Sequence, residues 1–283
     1  MDKGKLLIES LPYIKKFKGK TFVVKFGGSM FQNEILKDLF IKDVALLSLV
    51  GINVVLVHGG GKDINYYLKK MNMEEKFIDG YRVTDDPSMD IVEMVLSGKV
   101  NKDICSRIVN EGIKAIGISG RDNGLIIGDR MNGPYGNVGE IKIVNTKVIE
   151  DLLDMDYIPV VSPVAEDESG NALNINGDTA ASNIASALNA EKLILVTDVD
   201  GLYKDYKDKD SLISYIDSKL LKKLVDEEKL SGAIKPKAMS AVEAVEDGVK
   251  NVHIINGNEA HSIILEVFLE NGFGTMVGRN ENE

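Results

Sequence analysis

The sequence has a single cysteine, Cys105, and that scarcity removes a class of protein. One cysteine excludes an intrachain disulfide and fits a reducing compartment. Its place inside a helical pattern reads as inert packing. The three histidines, His58, His253 and His261, are scattered, and no HxxxH spacing occurs, so a zinc site is not expected. Long apolar runs are missing as well. The longest, near Val44 to Val57, is broken by Ser48, Gly51 and Asn53 and is too short and too polar to cross a bilayer. Glu9 and Pro12 interrupt the apolar content of the N-terminus, which therefore lacks the design of a secretory signal, and a cytoplasmic protein is expected. The net charge is −10, with no long basic stretch past residue 20, so neither nucleic acid nor membrane is an expected partner. Three phosphate-binding signatures are absent too. There is no G-x-x-x-x-G-K-[ST], no G-x-G-x-x-G after the first strand and no H-R-D with D-F-G.

What the 283 residues contain is an alternation of short apolar runs and amphipathic stretches, with room for one large α/β domain or two lobes sharing a sheet. Strands are predicted at Phe22–Lys25, Asn53–Val57, Ala115–Ile118, Ile158–Val161, Lys192–Val196 and Val252–Ile255. Helices are predicted at Ile35–Leu49, Asp63–Met71, Ser88–Glu111, Thr179–Leu188 and Lys237–Asp247. Such alternation predicts a mostly parallel sheet covered on both faces, with ligands at the carboxyl ends of its strands. Residues Gly124–Val144 alternate around "NGPYGNVG" and read as inserted β-hairpins. The charged stretch "YKDYKDKDS", Tyr203 to Ser211, is a solvated loop or the flank of an opening that admits a nucleotide. Residues 1–20 place Leu7, Leu11, Ile14 and Phe17 at helical spacing, and Pro12 should kink this helix or restart it. Its apolar stripe could pack on its own domain, on another subunit or on a membrane.

Four loops carry candidate chemistry. "TFVVKFGGSM" ends a buried strand on Lys25 and follows it with Gly27 and Gly28, a turn or a phosphate cradle in which no Cβ blocks the backbone amides. "VLVHGGGKDI" places Gly59, Gly60 and Gly61 between a strand and a helix, where free N–H groups and the positive end of the helix dipole suit an anion. "LNINGDTAA" brings Asn174 and Asn176 to one face of an extended segment and puts Asp178 at a helix start, as an N-cap or as a functional carboxylate. "LVTDVDG" carries Thr197, Asp198, Asp200 and Gly201, and its paired aspartates could hold a metal, hold a ribose or make a turn. In "GAIKPKAMSAV", Lys235 and Lys237 flank a proline directly ahead of a helix, where cations oppose the dipole unless an anion sits between them.

Taken in order, "VVKFGGS", "VHGGG", "GYRVTD", "NINGDTAA", "LILVTDVDG" and "PKAMSAV" resemble the amino acid kinase family along nearly the whole chain, and most of all its arginine-sensitive members that phosphorylate N-acetyl-L-glutamate. The resemblance implies a three-layer αβα sandwich around an open, mainly parallel sheet of about eight strands. Residues 21–190 would bind the amino acid, residues 191–283 would bind ATP, and residues 1–20 would form a kinked helix for assembly. It implies ATP as phosphoryl donor, Mg²⁺ carried by the nucleotide and no protein-bound metal. Lys25 and Lys237 match the lysines that stabilise the transferring phosphoryl group, and Asp178 matches the aspartate that holds them. Gly60, Gly61, Arg82, Asn174 and Asn176 would contact substrate. Gly27, Gly28, Thr197, Asp198, Asp200 and Gly201 would contact nucleotide. The family commonly has an apolar residue where Lys235 stands, and the register of "SAVEAV" assigns the role to Lys237. Arg82 could grip an α-carboxylate through two hydrogen bonds, or form a surface ion pair with Asp85 or Asp86.

The resemblance extends to regulation. Residues 1–20 are similar to the helix that interlaces dimers into a hexamer, and Tyr13, His253, Glu266 and Gly272 match an L-arginine effector site. Read without it, Glu266 is one more charge on a solvated helix face. Other acceptors remain: aspartate, or α-aminoadipate on a carrier protein. A different class is a non-catalytic amino-acid sensor on the same fold, against which the retained Lys25, Asp178 and Lys237 argue.

Overall fold

The computed structural model describes residues 3–27, 33–205, 208–227, 229–230, 234–269 and 272–279. Helix α1 (Lys3–Phe17) leads into β1 (Thr21–Phe26), α2 (Glu34–Leu49), β2 (Asn53–His58) and α3 (Gly61–Lys70). A two-stranded hairpin, β3 (Phe77–Ile78) and β4 (Tyr81–Arg82), precedes α4 (Asp86–Glu93) and α5 (Asn101–Asn110). Then come β5 (Ala115–Ser119), β6 (Ile126–Arg130), β7 (Gly139–Val144), α6 (Lys147–Asp154), β8 (Ile158–Ser162), β9 (Val164–Glu166) and β10 (Ala172–Asn174). The chain continues through α7 (Gly177–Ala187), β11 (Lys192–Thr197), β12 (Tyr215–Asp217), α8 (Ser218–Asp226), α9 (Ile234–Glu246), β13 (Asn251–Asn256), α10 (Ser262–Phe268) and β14 (Thr275–Gly278).

Eight strands form one sheet in the order β12-β14-β13-β11-β1-β2-β8-β5. The β13–β14 pair is antiparallel and the other neighbours are parallel. A sheet covered on both faces needs strands that are apolar at every position, with alternate side chains going to opposite sides. Here Phe22, Val24, Val54, Leu56, Ile194 and Val196 enter one core. Their neighbours Val23, Val55, Val57, Leu193 and Leu195 enter the other. β6, β7, β9 and β10 make a second, four-stranded sheet that contains the expected hairpin. No described helix is long and apolar enough to cross a membrane.

The first half of the chain builds one flank of β1 and the second half builds the other, so the sheet changes direction at β1. In parallel sheets that is where a crevice opens above the strand ends. The helices that follow or lie between parallel strands run back against them, so α3, α7 and α9 all begin at this carboxyl edge.

Several local expectations are corrected. The single helix predicted over Ser88–Glu111 is divided by a π-helical stretch, Met94–Val100, a wider turn that local propensity does not encode. α9 begins at Ile234, so Lys235 and Lys237 belong to its first turn rather than preceding it, and Pro236 is tolerated there because first-turn amides need no helical partner. α1 runs as one helix across Pro12, whose missing N–H falls opposite the exposed Ile8. Its far end packs on its own domain: Phe17 is buried edge-on against Phe22, with Tyr13 and Ile14 beside it, while Ile8 and Leu11 stay exposed. Cys105 is buried, and burial pushes its thiol up to about 11, which agrees with inert packing.

Candidate active site

Side-chain alternation along β1 turns Lys25 toward α7, where its ammonium meets Asp178 in that helix's first turn. Lys25 Nζ lies 2.9 Å from Asp178 Oδ1. Lys237 Nζ, from the first turn of α9, donates to Asp178 Oδ2 at 2.8 Å. Lys237, not Lys235, therefore makes this pair. Asp178 is not the N-cap of α7. Asn176 is, its Oδ1 accepting from the amides of Asp178 and Thr179 at 2.8 and 3.2 Å. Capping is thus moved two residues upstream, and the Asp178 carboxylate is left for the lysines. Burial works against its charge, but the Lys25 and Lys237 ammoniums outweigh that and hold it well below the usual carboxylate range. One carboxylate between two ammoniums leaves a net positive site at the edge where α3, α7 and α9 present their positive dipole ends.

Beside this triad lies a cleft of about 220 Å³ whose lining includes Gly60, Gly61, Arg82, Asn174, Asn176 and Gly177. α3 starts at its wall with Gly60 as N-cap and no side-chain cap. Arg82 reaches the cleft from the β3–β4 hairpin. That hairpin turns on Asp79 and Gly80, both at positive φ (51° and 83°) as a two-residue primed turn requires. Arg82 is 8% exposed. Its Nη2 donates to Gly61 O at 3.2 Å and to Asn65 Oδ1, and its guanidinium stacks 4.7 Å over Phe77. Nη1 is buried without a hydrogen-bond partner, 3.9 Å from Glu75. The surface pairing with Asp85 or Asp86 does not form: Asp85 caps α4 and Asp86 accepts from Asn137. A buried guanidinium with one arm unbonded has the chemistry to pair with a carboxylate. Asn174 Nδ2 donates to Thr84 Oγ1, which donates to Arg82 O. A wider groove of about 400 Å³ lies at the opposite edge of the sheet, near Asn53, Lys114 and Tyr157, but it gathers none of these groups.

Past the triad, β11 ends at buried Thr197, whose hydroxyl donates to exposed Asp198. Asp200 is a cross-tie, accepting from Asn256 Nδ2 at 2.6 Å and from the Tyr203 hydroxyl at 2.5 Å, and Gly201 packs against Thr275. Gly27 follows β1 beside the Lys25 ammonium, and Gly28 lies outside the described residues.

Three of the four expected effector residues, His253, Glu266 and Gly272, also meet. Glu266 is 7% exposed, so it is not a solvated surface charge. His253 Nδ1 donates to Glu266 Oε1 at 2.5 Å, and the amides of Phe273 and Gly274 donate to Oε2. Burial opposes the charge on Glu266, yet these donors hold its carboxyl below its usual range. Gly272 lies against the same carboxylate, where a Cβ would come within 2.8 Å of Oε2. Lys192, which sequence reading treated only as a strand start, donates to His253 Nε2 at 2.6 Å, and its ammonium lies 5.1 Å from the Phe17 ring of α1. Burial brings Lys192 down to about 8. Tyr13 is half-buried on α1.

Residues 20–256 match the model of the amino acid kinase family. The chain belongs to the amino acid kinase family. Among amino acid kinases it is similar to the acetylglutamate kinase of Caldanaerobacter subterraneus subsp. tengcongensis, at 50% identity over 98% of this chain and 93% of that one. It is also similar to the acetylglutamate kinase of Clostridioides difficile, at 48% identity over 100% of this chain and 99% of that one. The solved structure of N-acetylglutamate synthase from Neisseria gonorrhoeae, complexed with coenzyme A and N-acetyl-glutamate, superposes with a TM-score of 0.86 over 99% of this chain and 64% of that one. At 24% identity that likeness is one of fold. Asn65, Phe77 and Thr84, which hold Arg82, escaped sequence reading. The dipeptide Asp79-Gly80 is the local signal that announces their hairpin.

The triad of this amino acid kinase has a pH signature. The depressed carboxyl of Asp178 contributes stability above its unfolded pKa of about 3.9, and that contribution is lost as pH falls through the lower folded value. Asp178→Asn should lower stability at pH 7 by about 3–5 kcal/mol, because two buried ammoniums lose their counter-charge. It should also remove part of the acid-side slope. Urea unfolding between pH 3 and 7 reads both effects, and a variant as stable as wild type at pH 7 contradicts the ion-pair account.

Proposed function

We propose that this chain transfers the γ-phosphoryl group of ATP to the side-chain carboxylate of N-acetyl-L-glutamate, giving the acyl phosphate used in arginine biosynthesis. The observation that carries the reading is the Lys25–Asp178–Lys237 triad beside a cleft lined by Gly60, Gly61, Arg82 and Asn174. The full-length similarity to acetylglutamate kinases supports the choice of acceptor. The substrate α-carboxylate would pair with Arg82, with Asn174 and Asn176 beside it. The reacting carboxylate would then face the Gly60–Gly61 amides and the triad.

A side-chain carboxylate has an ordinary pKa near 4.3 and is ionised at pH 7, so it attacks without a general base. The chain's task is to align donor and acceptor in line and to neutralise charge that spreads over the transferring group. Lys25 and Lys237 do this as fixed cations, and Asp178 keeps them apart and oriented at no cost in reorganisation. No cluster of three acidic, histidine or cysteine side chains able to hold a metal occurs among the described residues. Mg²⁺ would arrive on the nucleotide phosphates and supply further charge neutralisation. The nucleotide would lie along Gly27, Gly28, Thr197, Asp198 and Gly201. Asp200 is committed to Asn256 and Tyr203, so it would shape that loop. A groove of about 420 Å³ lined by Leu202, Tyr203, Ile213 and Leu224 continues from the loop and would take the base. The lobes would then be residues 21–190 for the amino acid and 191–283 for ATP, in a cytoplasmic enzyme.

The regulatory reading is that L-arginine inhibits a hexamer assembled through α1. It is supported by the buried cluster of His253, Glu266 and Gly272 and by the path from it through Lys192 to Phe17. Glu266 Oε1, which accepts only from His253, keeps a lone pair with which a guanidinium could bond, while Oε2 is occupied by the Phe273 and Gly274 amides. For inhibition, arginine must favour the subunit arrangement that holds the two lobes apart.

Three outcomes are expected. Lys25→Ala and Lys237→Ala should each lower kcat by roughly 10²-fold or more in a hydroxamate assay for acyl phosphate, and near wild-type turnover in a folded Lys237→Ala protein defeats the assignment. Arg82→Lys should raise KM for N-acetyl-L-glutamate by roughly one to two decades, the worth of a charged hydrogen bond, and leave KM for ATP alone. An unchanged KM for N-acetyl-L-glutamate removes Arg82 from the substrate site. Deleting residues 1–20 should give an active dimer with much weaker arginine inhibition, read by light scattering and an arginine titration. A dimeric full-length enzyme indifferent to millimolar arginine sinks the regulatory reading and spares the catalytic one.

A further inference from the structure

We propose that His58 and Asn101 are positioning residues for phosphoryl transfer. Asn101 would fix the Nδ1–H tautomer of His58, and that N–H would fix the peptide plane that aims the Gly60 amide. His58 ends β2 with a side chain that is 0% exposed, on the sheet face opposite Lys25. It is not in the lining of the cleft, so it acts through Gly59.

The geometry dictates the tautomer. His58 Nδ1 lies 2.8 Å from Gly59 O, an atom that can only accept, so Nδ1 carries the proton. Burial pushes the imidazole down to about 4, so the ring is neutral at pH 7 and Nε2 is bare. Asn101 Nδ2 donates to that bare nitrogen at 3.2 Å. The orientation of Asn101 is itself forced. Its Nδ2 also faces the carbonyl oxygens of Val160 (2.8 Å) and Ile118 (3.3 Å), while Oδ1 accepts from Lys102 Nζ at 2.9 Å. A flipped amide would set oxygen against oxygen at two places.

The consequence reaches the cleft through a trans peptide. In the Gly59–Gly60 unit the C=O and N–H point in opposite directions. A carbonyl held toward His58 therefore turns the Gly60 N–H away from it, and the Gly59 amide is pinned separately to Phe26 O at 2.9 Å. The unit has no side chain of its own to resist a flip. Leu96, from the π-helical stretch that leads into Asn101, fills the space a Cβ at Gly60 would need, at 2.6 Å. A flipped plane would present a carbonyl oxygen, a repulsive group, to the anion that we place there.

The kinetic part rests on the kinase reading and the tautomer does not, so the two fail separately. Nitrogen-15 histidine NMR of the full chain should show His58 neutral, with Nδ1 protonated and no titration between pH 8 and 6; an Nε2–H form overturns the proposal. In His58→Asn the amide nitrogen can replace Nδ1 but cannot reach Asn101. In His58→Gln the oxygen can reach Asn101 but nothing donates to Gly59. With ATP and N-acetyl-L-glutamate, kcat of His58→Asn should stay within about threefold of wild type, and His58→Gln should fall roughly tenfold or more at unchanged KM for ATP, less than loss of a direct donor. Asn101→Ala, which removes the donor to Nε2 and leaves the Gly59 contact in place, should admit a population of the Nε2–H form and lower kcat by less than His58→Gln. Equal kcat for the Asn and Gln variants overturns the positioning role. If these variants do not fold, the wild-type tautomer decides; if wild type fails to phosphorylate N-acetyl-L-glutamate, the functional reading falls and the NMR result still decides this one.

Discussion

The Asp178 carboxylate, shared between Lys25 and Lys237, is the interaction from which the rest of the site takes its shape. It joins the central strand β1 to the first turns of α7 and α9, and so ties the flank built from the first half of the chain to the flank built from the second. Two ammoniums brought this close at a largely dry strand edge would repel each other strongly. The carboxylate converts that repulsion into a rigid array with one positive charge in excess. Such an array attracts a phosphoryl group and needs no movement to stabilise it.

Everything around the triad extends the same electrostatic logic. Three helices begin at the sheet's carboxyl edge, α3 without a side-chain cap, and their dipoles add partial positive charge where a phosphate is expected. The cost is a set of cations and amides that water cannot fully solvate. Among the described residues only two buried side-chain atoms lack a hydrogen-bond partner: Nη1 of Arg82, and Asp178 Oδ1, which is ion-paired with Lys25. A reaction whose acceptor is already ionised needs no histidine–carboxylate dyad. The histidines serve elsewhere: His58 under the glycine loop, His253 against Glu266, and His261 against Asp43.

The buried Lys192–His253–Glu266 chain has a different character from the triad. Its groups are arranged donor to acceptor in a line, and it ends near α1, whose N-terminal part leaves Ile8 and Leu11 exposed. A helix whose last turn is anchored while its outer stripe faces solvent is suited to pass a change at that anchor to whatever covers the stripe.

Much of this was legible in the sequence because the signals involved are local. Continuous apolar runs give buried parallel strands, glycine triplets between strand and helix give backbone amides without side chains, and six motifs in order give the family. Lys25, Asp178, Lys237, Arg82 and the glycine loops could all be named that way. Local signals could not divide the Ser88–Glu111 helix, because a π turn is set by packing beyond the segment and not by its propensities. They chose Asp178 as a possible cap, because nothing within a few residues shows that two distant lysines claim its carboxylate. They put Glu266 on a wet helix face, because its burial depends on how β13, β14 and α10 close over it. The sequence by itself determined which residue types stand at the strand ends and in what order. Only the tertiary structure decided which of them meet, because hydrogen-bond partners, burial and charge neutralisation are set by the register of a parallel sheet whose neighbouring strands lie far apart along the chain.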